Sequence, residues 1–152
     1  PRMKKSFLTL AAVMAFSPLL APTAQAQFFG KADDAIEYRQ GAFQLMKAHF
    51  SALEPVVKRQ VPFDQAAVVG ELSVLNIVST LPWQAFGPGT EGGDASDDIW
   101  LDPEGFKSAQ DKFLASLQPL TAAANEGNLD KLRAAFVDTG ASCKACHDSY
   151  RE

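Results

Sequence analysis

The sequence predicts an all-α fold, an antiparallel up-down-up-down bundle of four helices. Four segments place their apolar residues at steps of three and four, and no segment alternates as a strand would. Two of the connections between these segments are short and one is long, which suits neighbouring helices of opposite direction. The chain has 152 residues, 47% of them hydrophobic, so one domain can bury a core of its own.

The N-terminus has the pattern of a secretory signal peptide. Lys4-Lys5 precede the apolar run 7–20, and Ala24–Ala26 forms a small-x-small cleavage site. The apolar run is shorter than a membrane span requires, and no later stretch is expected to cross a membrane. We expect residues 1–26, including Pro1-Arg2 ahead of the first Met, to be removed. Residues 27–152 then form one exported domain.

The predicted mature domain is acidic. Residues 27–152 carry 11 basic and 18 acidic side chains, so their net charge is −7, against −4 for the whole sequence. An acidic surface repels nucleic acid and anionic lipid. We therefore expect neither a nucleic-acid partner nor a membrane partner.

The first predicted helix has one apolar seam that is interrupted by a single charge, Arg39. The seam consists of Ile36, Arg39, Phe43, Met46, Phe50, Leu53 and Val57, and a second stripe consists of Ala35, Tyr38, Ala42 and Leu45. Pro55 is expected to kink or end this helix near its last turn.

The second helix is expected to begin after an N-cap at Asp64 and to run to about Leu81. Phe63 and Val68 stand where a hydrophobic staple would place them. Residues 82–102 are rich in Gly, Pro and acids, and they predict a long structureless loop of functional importance.

The third helix is predicted to begin at Asp102-Pro103 and to end at Gly127. Its seam is Phe106, Ala109, Phe113, Leu117, Leu120 and Ala124, and Pro119 should bend it. Asn128 caps a fourth helix, whose seam is Leu129, Leu132, Phe136, Gly140, Cys143 and His147.

The fourth helix carries Cys143-Lys144-Ala145-Cys146-His147, the attachment sequence of c-type haem. Two thiols add to the two haem vinyl groups, and the imidazole that follows ligates iron. Residues i, i+3 and i+4 share one helix face, so all three side chains can address one porphyrin. The pattern predicts one covalently bound haem c near the C-terminal helix, with His147 as axial ligand.

Three other uses of the cysteines are weaker. A Cys-x-x-Cys oxidoreductase site usually follows a strand, and none is predicted here. A structural zinc site would need a fourth ligand, for which His49 is the one remaining imidazole. A disulfide between adjacent helical turns would be strained.

Arg39 is the second signal, because a lone charge on a buried seam is costly. A haem propionate would supply its counter-ion, and the alternatives are a carboxylate such as Glu71 or Asp94, or a side chain that reaches solvent. Arg151, one turn beyond His147, either serves another propionate or is a solvated terminal side chain.

The face opposite His147 is predicted to be apolar. Phe43 lies one turn past Arg39 and would shield that face. Trp83 and Phe86 either close the pocket or pack at the end of the bundle. Met46, the one methionine after the cleavage site, lies a further turn along and is expected to fill the core rather than ligate iron.

The mature chain resembles the cytochrome c′ family of class II c-type cytochromes over its whole length. The resemblance rests on Tyr38-Arg39-Gln40, on residues 81–90 (LPWQAFGPGT) and on residues 143–151 (CKACHDSYR). The family implies the four-helix fold, which is a known example of such bundles. A haem motif near the C-terminus separates this class from the small cytochromes c.

The resemblance implies a periplasmic protein with five-coordinate, high-spin haem that binds NO and CO and takes part in electron transfer. Arg39 and Gln40 would lie at the propionates, and Asp94 would line that side through the loop. A homodimer would form through the first two helices, where the second stripe lies. The family often has Leu where Phe43 stands, and the bulkier ring is expected to slow or block CO while NO still enters.

Two other functions stay open. In a six-coordinate, low-spin electron carrier, Met46 would be the sixth iron ligand, and the protein would not bind gases. An enzyme such as a peroxidase would need a general acid or base on the distal side, where the residues around Phe43 are apolar, so no enzymatic activity is expected.

Overall fold

The computed structural model describes residues 28–152, and the predicted signal peptide lies outside the described residues. The helices are α1 (Ala32–Ser51), α2 (Glu54–Val57), α3 (Gln65–Val78), α4 (Asp98–Leu101), α5 (Pro103–Asn125) and α6 (Leu129–Tyr150), with a 3₁₀ turn at Pro82–Phe86. Over this range no strand forms beyond the single bridge between Ala95 and Arg151. The four long helices α1, α3, α5 and α6 form the bundle, so the predicted fold class is confirmed.

Helix α1 ends before the proline, as the sequence predicts. The chain leaves α1 after Ser51 and resumes as the single turn α2, with Pro55 in its first turn. There the missing N–H of proline removes no intrahelical bond. Leu53 and Val57 continue the seam into the core, with exposures of 1% and 7%.

The four residues of the second stripe of α1 differ in their exposure. Ala35 and Ala42 are buried, Tyr38 is half-buried, and Leu45 is exposed. Helix α1 packs against both α3 and the 3₁₀ turn, so a wider strip of it is covered than one seam. The small alanines allow this close packing.

Helix α3 is a core helix with one exposed apolar side. The Asp64 carboxylate accepts a hydrogen bond from the backbone N–H of Ala67, which confirms the N-cap. The segment Gln65–Phe86 is long and apolar enough to cross a membrane by length and composition alone, a test that the core helix of a soluble protein also passes. The buried residues of α3 are Val68, Leu72, Leu75 and Val78, whereas its Val74 and Ile77 are exposed.

The segment after α3 is ordered rather than structureless, so that prediction is wrong. The indole N–H of Trp83 donates to the carbonyl of Ser79, and that of Trp100 donates to the carbonyl of Gly87. These bonds satisfy loop carbonyls while the rings pack inward. The two bonds stabilise the 3₁₀ turn and α4, which the periodicity of the sequence does not predict.

Helices α5 and α6 have the predicted ends. Asp102 caps α5 through Gly105 N, and Asn128 caps α6 through Lys131 N. Gly127 has φ of 66°, and the N–H groups of Gly127 and Asn128 bond to carbonyls in the last turn of α5, as in a Schellman motif. Pro119 lies within α5, and its predicted bend stays a prediction.

Candidate functional site

One cavity of about 740 Å³ lies between α1, the 3₁₀ turn, α5 and the end of α6. Cofactor sites usually occupy about 300–1,000 Å³. The site residues that the sequence predicts all line this cavity: Arg39, Gln40, Phe43, Trp83, Phe86, Asp94, Cys143, Cys146, His147 and Arg151. The fold therefore brings together residues from three separate parts of the chain.

Helix α6 presents the three residues of the attachment motif to the cavity. Cys143 and Cys146 are free thiols and half-buried. Burial raises the pKa of both thiols, and the neighbouring Cys146 raises that of Cys143 further. The pKa of His147 is lowered by burial and by Arg151, against an opposing effect of Asp148. The imidazole is therefore held towards its neutral form, in which a ring nitrogen can bind a metal.

Arg39 is the buried cation of the facing wall, with only 3% of its surface exposed. Its Nη1 donates to the carbonyl oxygens of Ala85 (2.9 Å) and Thr90 (2.6 Å), and its Nη2 donates to that of Gly92 (2.7 Å). A guanidinium has five N–H donors, so two remain for another partner. Arg39 therefore links residues 85–92 to α1 and still has two N–H donors free for a further hydrogen-bond partner.

The charge of Arg39 is balanced by no ion pair within residues 28–152. The expected carboxylates have other partners, since Glu71 bonds His49 at 2.7 Å and Asp94 bonds Arg151 at 3.3 Å. Burial lowers the pKa of the Arg39 guanidinium, and Glu91 opposes that shift from a distance. A charge in this setting is costly unless a negative group enters the cavity.

Aromatic rings continue the wall beside Arg39. The guanidinium carbon lies 4.7 Å from the centroid of the Phe86 ring. Phe43 packs edge-on against Trp83 and Phe86, with centroid separations of 5.8 and 6.3 Å. Trp83 and Phe86 thus line the cavity and do not merely close the bundle end.

Asp94 and Arg151 form an ion pair at the cavity rim, which was not predicted from the sequence. Their side chains bond at 3.3 Å, and both are exposed. Backbone bonds run beside them, from Ser96 N to Tyr150 O and from Glu152 N to Asp94 O. The end of the chain, just after His147, is thereby attached to the long loop.

Several further residues line the cavity that were not predicted as site residues. Phe106 and Phe113 were placed on the α5 seam, and their step of seven is the signal that both face the same space. Tyr150, one turn after His147, packs edge-on against Phe106 at 5.3 Å. Lys47 and Gln44 add polar groups from α1.

Met46 belongs both to the core and to the cavity wall. It is 8% exposed and lies in the main hydrophobic cluster, as expected for a core residue, but it also lines the cavity. The zinc alternative lacks its fourth ligand, because His49 does not line the cavity. Within residues 28–152, no group of three or more His, Cys, Asp and Glu side chains could hold a metal ion.

A family model and two sequence relatives all match this chain to the same family. The family model described as Cytochrome C′ matches residues 34–151. The chain is 56% identical over 124 residues to cytochrome c′ of Alcaligenes xylosoxydans xylosoxydans, a match that covers 82% of this chain and 98% of that one. It is 41% identical over 127 residues to cytochrome c′ of Rubrivivax gelatinosus, with the same coverages.

Solved structures agree with these sequence matches. A cytochrome c′ structure superposes with a TM-score of 0.81 at 56% identity and covers 82% of this chain and 99% of that chain. A nitric oxide complex of a mutant of cytochrome c prime from Alcaligenes xylosoxidans has a TM-score of 0.80 at 56% identity, with coverages of 82% and 98%.

Proposed function

Because the chain belongs to the cytochrome c′ family, whose cofactor is covalently bound haem c, we propose that it is an exported gas-binding and electron-transfer protein. The main supporting observation is that Cys143, Cys146 and His147 line the same cavity as Arg39. Arg39 is buried and has no ion-pair partner among residues 28–152. When bound, the haem iron supplies both a redox centre and a coordination position for a diatomic ligand.

The described residues fit that cofactor. Both thiols are free and lie within one turn of each other on the helix face that also carries the imidazole. Cys143 and Cys146 would form the two thioether links, and His147 would be the axial ligand. The cavity volume and its aromatic lining suit a large planar apolar group.

The propionates of the cofactor would be held at the rim where the cations lie. Arg39 has two N–H donors that its loop carbonyls do not use. Gln40, next to it in α1, and Arg151, at the end of α6, also line the cavity. Asp94 would orient Arg151 through their ion pair rather than contact a propionate as an anion.

The side facing Phe43 would exclude water and anions. Phe43 and Phe86 carry no polar group, and the one donor of the Trp83 ring is committed to the Ser79 carbonyl. Uncharged NO and CO can enter such a space, whereas an anion would lose its hydration without gaining a partner from these three rings. None of these three rings can act as general acid or base, and Lys47, the basic group that lines the cavity from the same helix, is exposed to solvent. We therefore propose ligand binding rather than enzymatic turnover.

The iron would be five-coordinate and high-spin, with its sixth position open on the Phe43 side. The alternative is a low-spin electron carrier in which Met46 occupies that position. One observation supports it: Met46 lines the cavity and is not confined to the core.

The proposal also includes the cellular compartment and the oligomeric state of the protein. The signal peptide predicted at residues 1–26 would direct the protein to the periplasm. A homodimer through the first two long helices, α1 and α3, is supported by their exposed apolar side chains, Leu45 on α1 and Val74 and Ile77 on α3.

Gas titration tests the proposed function. The ferrous holoprotein is titrated with NO and with CO while its visible spectrum is recorded. We expect saturable spectral changes with NO and a weaker or slower response to CO. A spectrum that neither gas alters would contradict the proposal and favour the electron carrier with Met46 on iron.

A further inference from the structure

Helix α6 contains a glycine in its interior where the packing of the protein does not require one. Gly140 lies well inside Leu129–Tyr150, and glycine is unfavourable in a helix interior because it loses more backbone freedom than alanine. A Cβ at this position would lie 3.9 Å from Cζ of Phe50, which is an ordinary van der Waals contact. No described protein atom therefore excludes alanine here.

Gly140 is on the cavity side of its helix. It lines the cavity together with Cys143, one turn along, and His147, two turns along. Its nearest side chain, Phe50, also lines the cavity and stacks on Phe136 with ring centroids 4.3 Å apart. The space that a methyl group on Gly140 would take thus lies beside Phe50 and at the cavity wall.

We infer that Gly140 is a positioning residue for the bound haem, at which the macrocycle packs directly against the backbone of α6. This inference rests on the proposed function. Two thioether links and one axial bond from the same helix face would fix how far the macrocycle stands from α6. A side chain one turn earlier could not be avoided by sliding the cofactor away, so only glycine leaves the space free.

Gly70 offers a matched control. It also lies in a helix interior, in α3, with nothing within 4 Å of its built Cβ. It is exposed and does not line the cavity. Substitution by alanine gives the same gain in helix propensity at both sites, and only Gly140 is next to the proposed cofactor.

The experiment compares holoproteins produced with an exporting haem-attachment system. Gly140→Ala and Gly70→Ala are measured for covalently bound haem per polypeptide and for the thermal unfolding midpoint. We expect Gly140→Ala to bind less haem and to lower the midpoint by about 5 °C. Gly70→Ala should keep full haem content and an unchanged or higher midpoint.

A further variant separates the cofactor from Phe50 as the group that is crowded. Phe50→Leu removes the Cζ atom nearest to the new methyl, so the effect of Gly140→Ala is measured again in that background. The inference expects the same loss in both backgrounds. It is overturned if Phe50→Leu abolishes the loss, or if Gly140→Ala behaves like Gly70→Ala. A wild-type protein without covalent haem would overturn the proposed function itself.

Discussion

The two walls of the cavity are built differently. The α6 wall carries the motif of residues 143–147, which are neighbours in the sequence. In the facing wall, Arg39 of α1 bonds carbonyls that lie 46 to 53 residues further along the chain. On α6, the helical repeat alone places Cys143, Cys146 and His147 on one face. On the facing wall, Arg39 donates hydrogen bonds to three carbonyls and lies over the ring of Phe86. The comparison suggests that the attachment chemistry is local and that the enclosure depends on tertiary structure.

The largest effect is expected on the local side. Replacing both thiols, in Cys143→Ser together with Cys146→Ser, removes the atoms that would form the thioether links. Haem that survives denaturing electrophoresis should then be lost completely. The single variant Cys146→Ser serves as the control, because Cys143 can still form one link. Covalent haem that persists in the double variant would contradict the assignment of these residues.

The next effect is expected from the facing wall. Arg39→Met leaves the carbonyls of Ala85, Thr90 and Gly92 without their donor, and we expect a loss of about 2–4 kcal/mol in unfolding free energy. Denaturant unfolding of the holoprotein measures it. Arg59→Met is the matched control, because the Arg59–Asp130 pair is exposed and should contribute less than about 1 kcal/mol.

Equal losses in the two arginine variants would show that Arg39 does not organise the loop. Arg39→Lys sharpens the test further. It keeps the charge but cannot reproduce the forked geometry that reaches three carbonyls, so its stability should lie between those of wild type and Arg39→Met.

A moderate effect is expected at Phe43, within the tertiary wall. Phe43→Leu shortens the side chain that faces Trp83 and Phe86, and we expect CO to bind about tenfold faster, a change of about 1.4 kcal/mol in the barrier. Flash photolysis of the CO complex measures this rate, and the NO rate serves as the internal control. Unchanged CO kinetics would show that the ring of Phe43 does not limit entry.

The smallest change in stability is expected at the rim. Asp94→Asn weakens an exposed pair with Arg151, and exposed pairs contribute about 0–1 kcal/mol. The unfolding free energy should therefore change by less than about 1 kcal/mol, because the backbone bonds of Ser96 and Glu152 remain. A larger loss, measured by the same denaturant series, would show that the ion pair and not the backbone fastens the end of the chain.

The same contrast explains which features could be predicted from sequence. The helix caps at Asp64, Asp102 and Asn128 are local interactions, and the structure confirms all three. The position of Arg39 was predicted from the seam, but its partners lie in a loop without periodicity. The 3₁₀ turn depends on the bond of Trp83 to a carbonyl at the end of α3, which only the folded chain brings within reach.

Small and distant residues escaped prediction for related reasons. Ala35 and Ala42 were placed on a second stripe without a prediction of their burial, which arises because α1 is covered on two sides and their size suits close packing. Asp94 and Arg151 were each identified as site residues, but 57 positions separate them and no local rule pairs them.

The open sixth position is the central claim, and the spin state of the iron in wild type and Met46→Leu tests it most directly. Visible and electron paramagnetic resonance spectra are recorded for both proteins in the ferric state, and visible spectra in the ferrous state. We predict high-spin iron in both, because Met46 packs in the core and at the cavity wall without binding iron. Low-spin iron in wild type that becomes high-spin in Met46→Leu would contradict the account and place the methionine on the metal.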